Sequence, residues 1–509
     1  MSTNIPDSDS ICDMKPVRIA VEGCCHGKLN KIYLQVPKNA ELLVICGDFQ
    51  AIRNQRDLKA MNVPQKYLEM GDFPNYYLGK KKAPILTVFI GGNHELSLYL
   101  RELQYGGWVA PGIYYLGEFG TIWYKGLRIL GASGIYSHDS FVKAKSDNPP
   151  AYKLPYNHST IRSIYHVKPK NFLKLMLSGS SDVMLSHDWP KGIWEWGNKG
   201  TLLKNKPFLK TDIERGHLGS PLATTAMTHL KPKNWFSLHM HTFFEATVKH
   251  ESPAAKTAET SALDPGENKR RKISVESEKL KDANEIALDM DDMDVSEETS
   301  GPDETLQMEQ KEESKDISPS GNTSAEDTEG TSAEGLTDAK NSRSHAEEPS
   351  SKITKKDKKK AAAKFRSAGP ETYFMALDKC LPRRSFIAAK SIEANPQHPS
   401  FKNKNLYYDP RAIAIQKVVE NFVKTPNWAD ISAQDLLEPE KLDNLLAELN
   451  EMVDFEAAKI PNNSCIPKNF KKVAPDVKVQ VVPMQYWPNN QTKDYCEKWG
   501  VPEPDLEGP

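Results

Sequence analysis

Seven cysteines in 509 residues, at positions 12, 24, 25, 46, 380, 465 and 496, are too few and too unevenly spaced for a disulfide framework, so a reducing compartment is expected. No apolar run approaches the length of a membrane span, and the first fourteen residues have no apolar core of the kind that marks a secretory signal. A soluble, intracellular protein is therefore expected. Net charge is also scarce: the formal value of −1 at pH 7 excludes a uniformly basic nucleic-acid binder and leaves any polyanion contact to local patches. Between Phe244 and Phe365 there is no aromatic residue and no cysteine. A segment dominated by Ser, Glu, Asp, Lys and Thr cannot bury enough apolar area to offset its ordering entropy, which predicts a disordered linker over 251–365.

What the chain does have is one design used five times. An apolar run from Val17 stops at Gly23 and delivers Cys24-Cys25-His26. Further runs lead into Gly47-Asp48, Gly91-Gly92-Asn93-His94-Glu95, His187-Asp188 and His239-Met240-His241. Such patterns put the polar residues at the carboxyl edges of strands, where open α/β sheets build their sites. Five strand ends offering Cys, His, Asp or Asn suit a two-metal centre, because no single loop can surround two cations. Any one of these histidines alone would read as an ordinary surface or core residue; the joint pattern gives them meaning.

Residues 15–250 alternate short β runs with helix-length pieces such as 29–36, which predicts a layered α/β domain after a flexible amino terminus, 1–14. Further β runs cover 114–116 and 121–132, with Lys125-Gly126 as a hairpin turn. Beyond the linker, 372–380 reads as a strand, and Ala412, Ile413, Ile415, Val418, Val419 and Phe422 recur at helical spacing, as do the apolar residues of 436–449. The expectation is a small α-rich domain over 366–460 and a loose tail over 461–509. The segment 133–167 interleaves Tyr136, Phe141, Tyr152, Tyr156 and Tyr165 with Lys143, Lys145 and Lys153. That mixture suits base stacking and phosphate contact, or else an ordinary surface loop, and composition alone favours the loop. Basic runs at Lys269-Arg270-Arg271-Lys272 and 355–360 suit nuclear import.

The set Gly47-Asp48, Gly92-Asn93-His94-Glu95, a lone later His and a His-x-His resembles, in order and spacing, the motifs of the calcineurin-like metallophosphoesterases. Their usual first element is Asp-x-His; here it is Cys24-Cys25-His26. With Ser186-His187-Asp188-Trp189-Pro190, the segment 133–167 and the stretch from Leu377 to Arg384, the chain is similar to the RNA lariat debranching enzymes. The resemblance implies a β-sandwich flanked by helices and two divalent metals. One metal would sit on Cys24, His26, Asp48 and His241, the other on Asp48, Asn93, His187 and His239, with Asp48 bridging. His94 would protonate the departing oxygen. The segment 133–167 would be a lariat-recognition loop, offering Tyr136, His138, Phe141, Tyr156, Asn157, His158 and Arg162 to RNA. The implied reaction is hydrolysis of the 2'-5' phosphodiester at the branch of excised intron lariats, in the nucleus, as part of intron turnover.

A thiolate in place of a carboxylate softens one site, favouring Fe(II) or Zn(II) over Mg(II) and leaving Mn(II) admissible. Cys25 is a competing ligand, and the Asp-x-His register selects Cys24. Two other readings are a metallophosphoesterase for another phosphoester and a non-catalytic scaffold of the same fold. Against the first, Gly47-Asp48-Phe49-Gln50-Ala51 lacks the Asp-Arg-Gly continuation of protein phosphatases; against the second, all seven ligand positions carry competent residues.

Overall fold

The computed structural model describes residues 15–146, 148–250, 370–475 and 483–508. The segments expected to be a flexible amino terminus, 1–14, and a linker, 251–365, with both basic runs, lie outside the described residues. One sheet is built from β1 (Val17–Glu22), β2 (Leu42–Ile45), β3 (Thr87–Phe89), β4 (Gly107–Ala110), β5 (Ile113–Tyr115) and a late strand, β12 (Ile387–Ile392). Its order is β12-β1-β2-β3-β5-β4. The other contains β6 (Phe119–Tyr124), β7 (Leu127–Ala132), β8 (Val183–Ser186), β9 (Asn234–Ser237), β10 (Phe244–Lys249), β11 (Glu371–Ala376) and β13 (Tyr407–Tyr408), in the order β10-β11-β9-β8-β7-β6-β13.

The central strands of both sheets run parallel, which explains why they read as nearly unbroken apolar runs: they are covered on both faces. Ile19, Val21, Val44 and Val88 of the first sheet share a core with Ile129, Val183, Leu185 and Phe236 of the second. On the other face of the first sheet, Ala20, Leu43, Ile45 and Phe89 pack with Leu29 and Ile32 of the helix Leu29–Gln35 and with Phe73 and Tyr99. Each such aliphatic side chain contributes about 1.5–3 kcal/mol on burial. The result is the layered α/β sandwich that the pattern predicts. Lys125 and Gly126 both have positive φ, 47° and 79°, as a tight hairpin between β6 and β7 requires.

The carboxyl-terminal part does not stand apart: its described residues, 370–475 and 483–508, fall in one compact unit with 15–250. β11 inserts between β9 and β10, β12 pairs with all of β1, and β13 pairs with β6. The helices expected from spacing are present as Pro410–Phe422 and Pro439–Ala457, but the first is tied to the amino-terminal part. Arg411 Nε donates to the Leu177 carbonyl at 2.8 Å and Gln416 Nε2 to that of Phe119 at 3.0 Å. Nor are residues 483–508 loose. They contain the helix Asn490–Trp499, and Gln491 brackets the backbone of Trp108, accepting from its N–H at 2.8 Å and donating to its carbonyl at 2.9 Å. Tyr495, Cys496 and Val501 are also buried with Tyr105 and Ile413, but apolar residues so few set no sustained period, which is why composition suggested looseness. No helix among the described residues is long and apolar enough to cross a membrane.

Candidate metal centre

The five strand ends meet at one edge of the sandwich. At the end of β1, a side chain on Gly23 would overlap the carbonyl of Asp378, so the strand lies directly on the 377–384 segment. Gly23 N donates to the Phe386 carbonyl at 2.8 Å, and Cys24 forms a bridge with Lys379. Strand alternation then separates the adjacent thiols: Cys24 faces the inter-sheet core, while Cys25 packs with the helices. Glycines at two other strand ends leave room for the ligands. A Cβ at Gly47 would collide with the His187 ring, and one at Gly92 would lie 2.6 Å from Asp48 N and 2.7 Å from His187 Cε1.

Cys24, His26, Asp48 and His241 bring one donor atom each to within 4.8 Å of one another. His26 Nε2 is 3.4 Å from His241 Nε2 and 3.8 Å from Asp48 Oδ2. On the other side of Asp48, His187 Nε2 lies 3.5 Å from Oδ1 and 3.0 Å from Asn93 Oδ1, and the His187 and His239 rings are 5.1 Å apart. His187 Nδ1 faces the Cys46 carbonyl at 3.1 Å, which sets the tautomer that turns Nε2 toward Asp48. Asp48 therefore stands between two donor groups. One contains a thiol, imidazoles and a carboxylate; the other imidazoles, an amide oxygen and the same carboxylate. Both suit borderline divalent cations.

Four of these residues carry a further mark. His26, Asp48, His239 and His241 have φ of 43°, 46°, 67° and 46°, in the left-handed region that L-residues avoid. Such conformations cost on the order of 1–3 kcal/mol each and persist where the surroundings over-determine them, as at functional sites. These four follow β1, β2 and β9, whereas Asn93 and His187, after β3 and β8, do not have positive φ.

Burial would raise the pKa of Asp48, but His187, His94 and His26 around it hold its carboxyl well below the usual range. Its Oδ1 accepts from His94 N at 2.9 Å, and its backbone carbonyl from His26 N at 2.7 Å. The His94 ring stands beside this group, Nδ1 3.5 Å from Asp48 Oδ2, a polar contact rather than a well-formed hydrogen bond. Two carboxyls to which the sequence reading gave no role, Glu95 and Glu22, support the site. Glu95 accepts from the amides of Phe49 and Gln50 and so clamps the loop that carries Asp48; burial and then Asp48 push it up to about 8. Glu22 is fully buried, with no hydrogen-bond partner for either oxygen among the described residues, and burial, then Asp48, raises its carboxyl well above the usual range. A lone Glu inside an apolar strand pattern was the signal for it.

The segment 133–167 divides differently from its sequence pattern. Phe141 is fully buried against Phe172 and is not presented to a ligand, a correction imposed by the inward face of the short helix His138–Lys143. Tyr156 is half-buried, and its hydroxyl lies 3.0 Å from that of Tyr486, so it serves the fold rather than the surface. His138, Asn157 and His158 are exposed; Tyr136 and Arg162 are half-buried. Asn157 Oδ1 also accepts from Ser159 N and Thr160 N, which shapes the turn that presents His158. Lys143 and Lys153 are exposed, whereas Lys145 lies over the Trp428 ring at 3.7 Å, its pKa lowered by burial to about 8.

Residues 369–504 match the family model described as lariat debranching enzyme, C-terminal domain. The chain is 51% identical over 244 residues to the lariat debranching enzyme of Homo sapiens, covering 46% of this chain and 44% of that one. With the lariat debranching enzyme of Danio rerio it shares 49% over 244 residues, 46% of this chain and 42% of the relative. The chain thus matches less than half the length of these vertebrate relatives. The lariat debranching enzyme of Schizosaccharomyces pombe is 35% identical over 499 residues, 97% of this chain and 98% of the relative. Likeness along almost the whole of both sequences, with the motif residues gathered at one edge of the sandwich, means that the chain belongs to the lariat debranching enzyme family.

Proposed function

We propose that the chain hydrolyses the 2'-5' phosphodiester at the branch of an excised intron lariat, releasing a linear RNA with a 5'-phosphate. The observation that carries this is Asp48, flanked by one donor group on each side and by His94. Cys24, His26, Asp48 and His241 would hold one divalent cation, and Asp48, Asn93, His187 and His239 the other. Fe(II) or Zn(II) suits the thiol-bearing set, and Mn(II) is the harder alternative. Two cations there would supply Lewis-acid polarisation of the phosphoryl group and neutralise its charge.

The protein's own part is placement and proton transfer. Asp48, held by the His94 amide and by its own carbonyl bond to His26, fixes the spacing of the two donor groups. We assign His94 as general acid: Nδ1 lies beside Asp48 Oδ2, and Nε2 gives its proton to the 2'-oxygen as the phosphorus–oxygen bond breaks. Water supplies the oxygen that remains on phosphorus. His138, Asn157, His158 and Arg162, with Lys143 and Lys153, form the surface assigned to the RNA around the branch. Nuclear residence and a role in intron turnover complete the reading, the former from the two basic runs.

The test is a branched RNA beside a linear 3'-5' RNA of equal composition, each with and without chelator. Cleavage of the branched RNA alone, abolished by chelator and restored by Fe(II), Zn(II) or Mn(II), is expected. Equal cleavage of both RNAs, or of neither, refutes the substrate assignment.

A further inference from the structure

Within the proposed debranching reading, we infer that residues 483–508 act as a strap that positions the recognition loop, with Tyr486 as its principal side chain. Both backbone groups of Tyr152, midway along the loop, are taken by this strap. Tyr152 N donates to the Glu507 carbonyl at 2.8 Å, and the Tyr152 carbonyl accepts from the Tyr486 hydroxyl at 3.0 Å. That hydroxyl also lies 3.0 Å from the Tyr156 hydroxyl, one residue before Asn157 and His158.

The strap also attaches to the helix Ser97–Glu102, which directly follows the loop bearing Asn93 and His94. Arg101 Nη2 donates to the carbonyls of Asp505, Leu506 and Gly508, each at 2.9 Å. Glu102 accepts from Trp487 N at 3.0 Å through its carboxylate and from Thr492 Oγ1 at 2.6 Å through its carbonyl. The Tyr152 ring closes the connection, with the Arg101 guanidinium 5.0 Å from its centroid and the Lys168 ammonium 5.3 Å from it. One segment therefore binds, at successive residues, the helix behind the candidate general acid and the loop assigned to RNA.

The loop needs such a device. Its own apolar cluster is confined to Ile135, Tyr152, Ile164 and Tyr165, with Tyr156 packed against it, and residues 148–158 contain no helix or strand. A stretch with so few internal contacts takes its orientation from what it is tied to. Asn62 Nδ2, donating to the Tyr165 hydroxyl at 2.8 Å, holds the far end; the strap holds the middle. Tying loop and helix to the same segment fixes the distance between RNA surface and metal centre before substrate arrives, which lowers the ordering cost of binding.

The test compares the full chain, Tyr486→Phe and a chain with 505–509 removed. Three quantities are read: amide exchange over 148–160, KM and kcat on branched RNA, and hydrolysis of a small chromogenic phosphodiester that has no nucleotides for the loop to hold. Tyr486→Phe removes two hydrogen bonds and should raise exchange and the branched-RNA KM by about tenfold, with kcat and chromogenic hydrolysis within about twofold. The shortened chain should show the same split. Faster exchange with an unchanged KM would mean that the strap does not position substrate. Unchanged exchange in both variants would mean that it does not hold the loop. Should the unaltered chain fail to prefer branched RNA, the debranching reading falls, and the strap's substrate role with it; the exchange comparison tells that failure apart from a failure of the strap itself.

Discussion

Gly92→Ala probes the centre through space alone. Gly92 does not occupy the left-handed region, so alanine meets no backbone penalty there. The added Cβ, however, would fall inside contact with Asp48 Oδ1 and would lie 2.6 Å from Asp48 N and 2.7 Å from His187 Cε1. To reach ordinary contact these atoms must retreat by about 1 Å. Asp48 has little freedom to do so, because its carboxylate accepts from His94 N and its carbonyl from His26 N. Overpacking of this kind costs about 1–3 kcal/mol of stability, and a misplacement near 1 Å costs on the order of 10²-fold in rate. The expected variant folds, melts a few degrees lower, binds less than its full metal complement and cleaves branched RNA at least about 10²-fold more slowly. Metal content by mass spectrometry, a thermal melt and the cleavage assay measure the three effects. Gly200→Ala is the control: a Cβ there meets only Asn198 Oδ1 at 3.5 Å, inside the helix Lys199–Asn205, so activity should hold and stability rise by up to about 1 kcal/mol. Wild-type metal content and rate in Gly92→Ala would refute the claim that the Asp48 carboxylate sets the geometry of the centre.

His94→Ala should lower turnover by about 10² to 10⁴ with metal content and melting temperature unchanged; metal lost in parallel with activity would make His94 a ligand instead. Cys24→Asp should retain the fold and move metal preference toward Mn(II) in anaerobic titrations, whereas Cys25→Ala, which removes a thiol from the helix-side core, should cost about 1 kcal/mol and leave metal content alone. The opposite pattern would reverse the ligand register. Asp409→Asn tests a buried ion pair far from the centre. Burial would raise the Asp409 carboxyl, but the Arg128 guanidinium and the Ala412 and Trp123 N–H groups hold it below the usual range. Its folded pKa is thus depressed, so its stabilisation is present above the unfolded value of about 3.9 and is lost as pH falls below that. Urea titrations should show a deficit of about 3 kcal/mol at pH 7 that shrinks below about pH 4; a deficit constant with pH would show that the charge is not the cause.

Local patterns in the sequence determined much of this protein. An apolar run ending at Gly23, Gly47 or Gly92 is legible because strand burial and the lack of space beside a ligand leave a trace in the residues themselves. The Asp-x-His register singled out Cys24, and the structure then puts the two thiols on opposite faces of the strand, Cys24 in the inter-sheet core and Cys25 against the helices. Helical spacing located Pro410–Phe422 and Pro439–Ala457 for the same reason. Period carries no information about partners, however. Nothing local says that β11 slots between β9 and β10 across the 251–365 segment, because a strand's pattern records that it is covered, not what covers it. Phe141 and the exposed His138 look equally suited to RNA in sequence; the packing of one short helix against Phe172 buries the first and leaves the second out. The polar residues of 483–508 gave no sign of order, since their role depends on hydrogen bonds to Trp108, Glu102 and Tyr152, each more than 300 positions away. Only tertiary structure brings the two donor groups to opposite sides of Asp48. Their spacing is set by the order of strands in two sheets, a property of how the layers pack and not of any one stretch of chain.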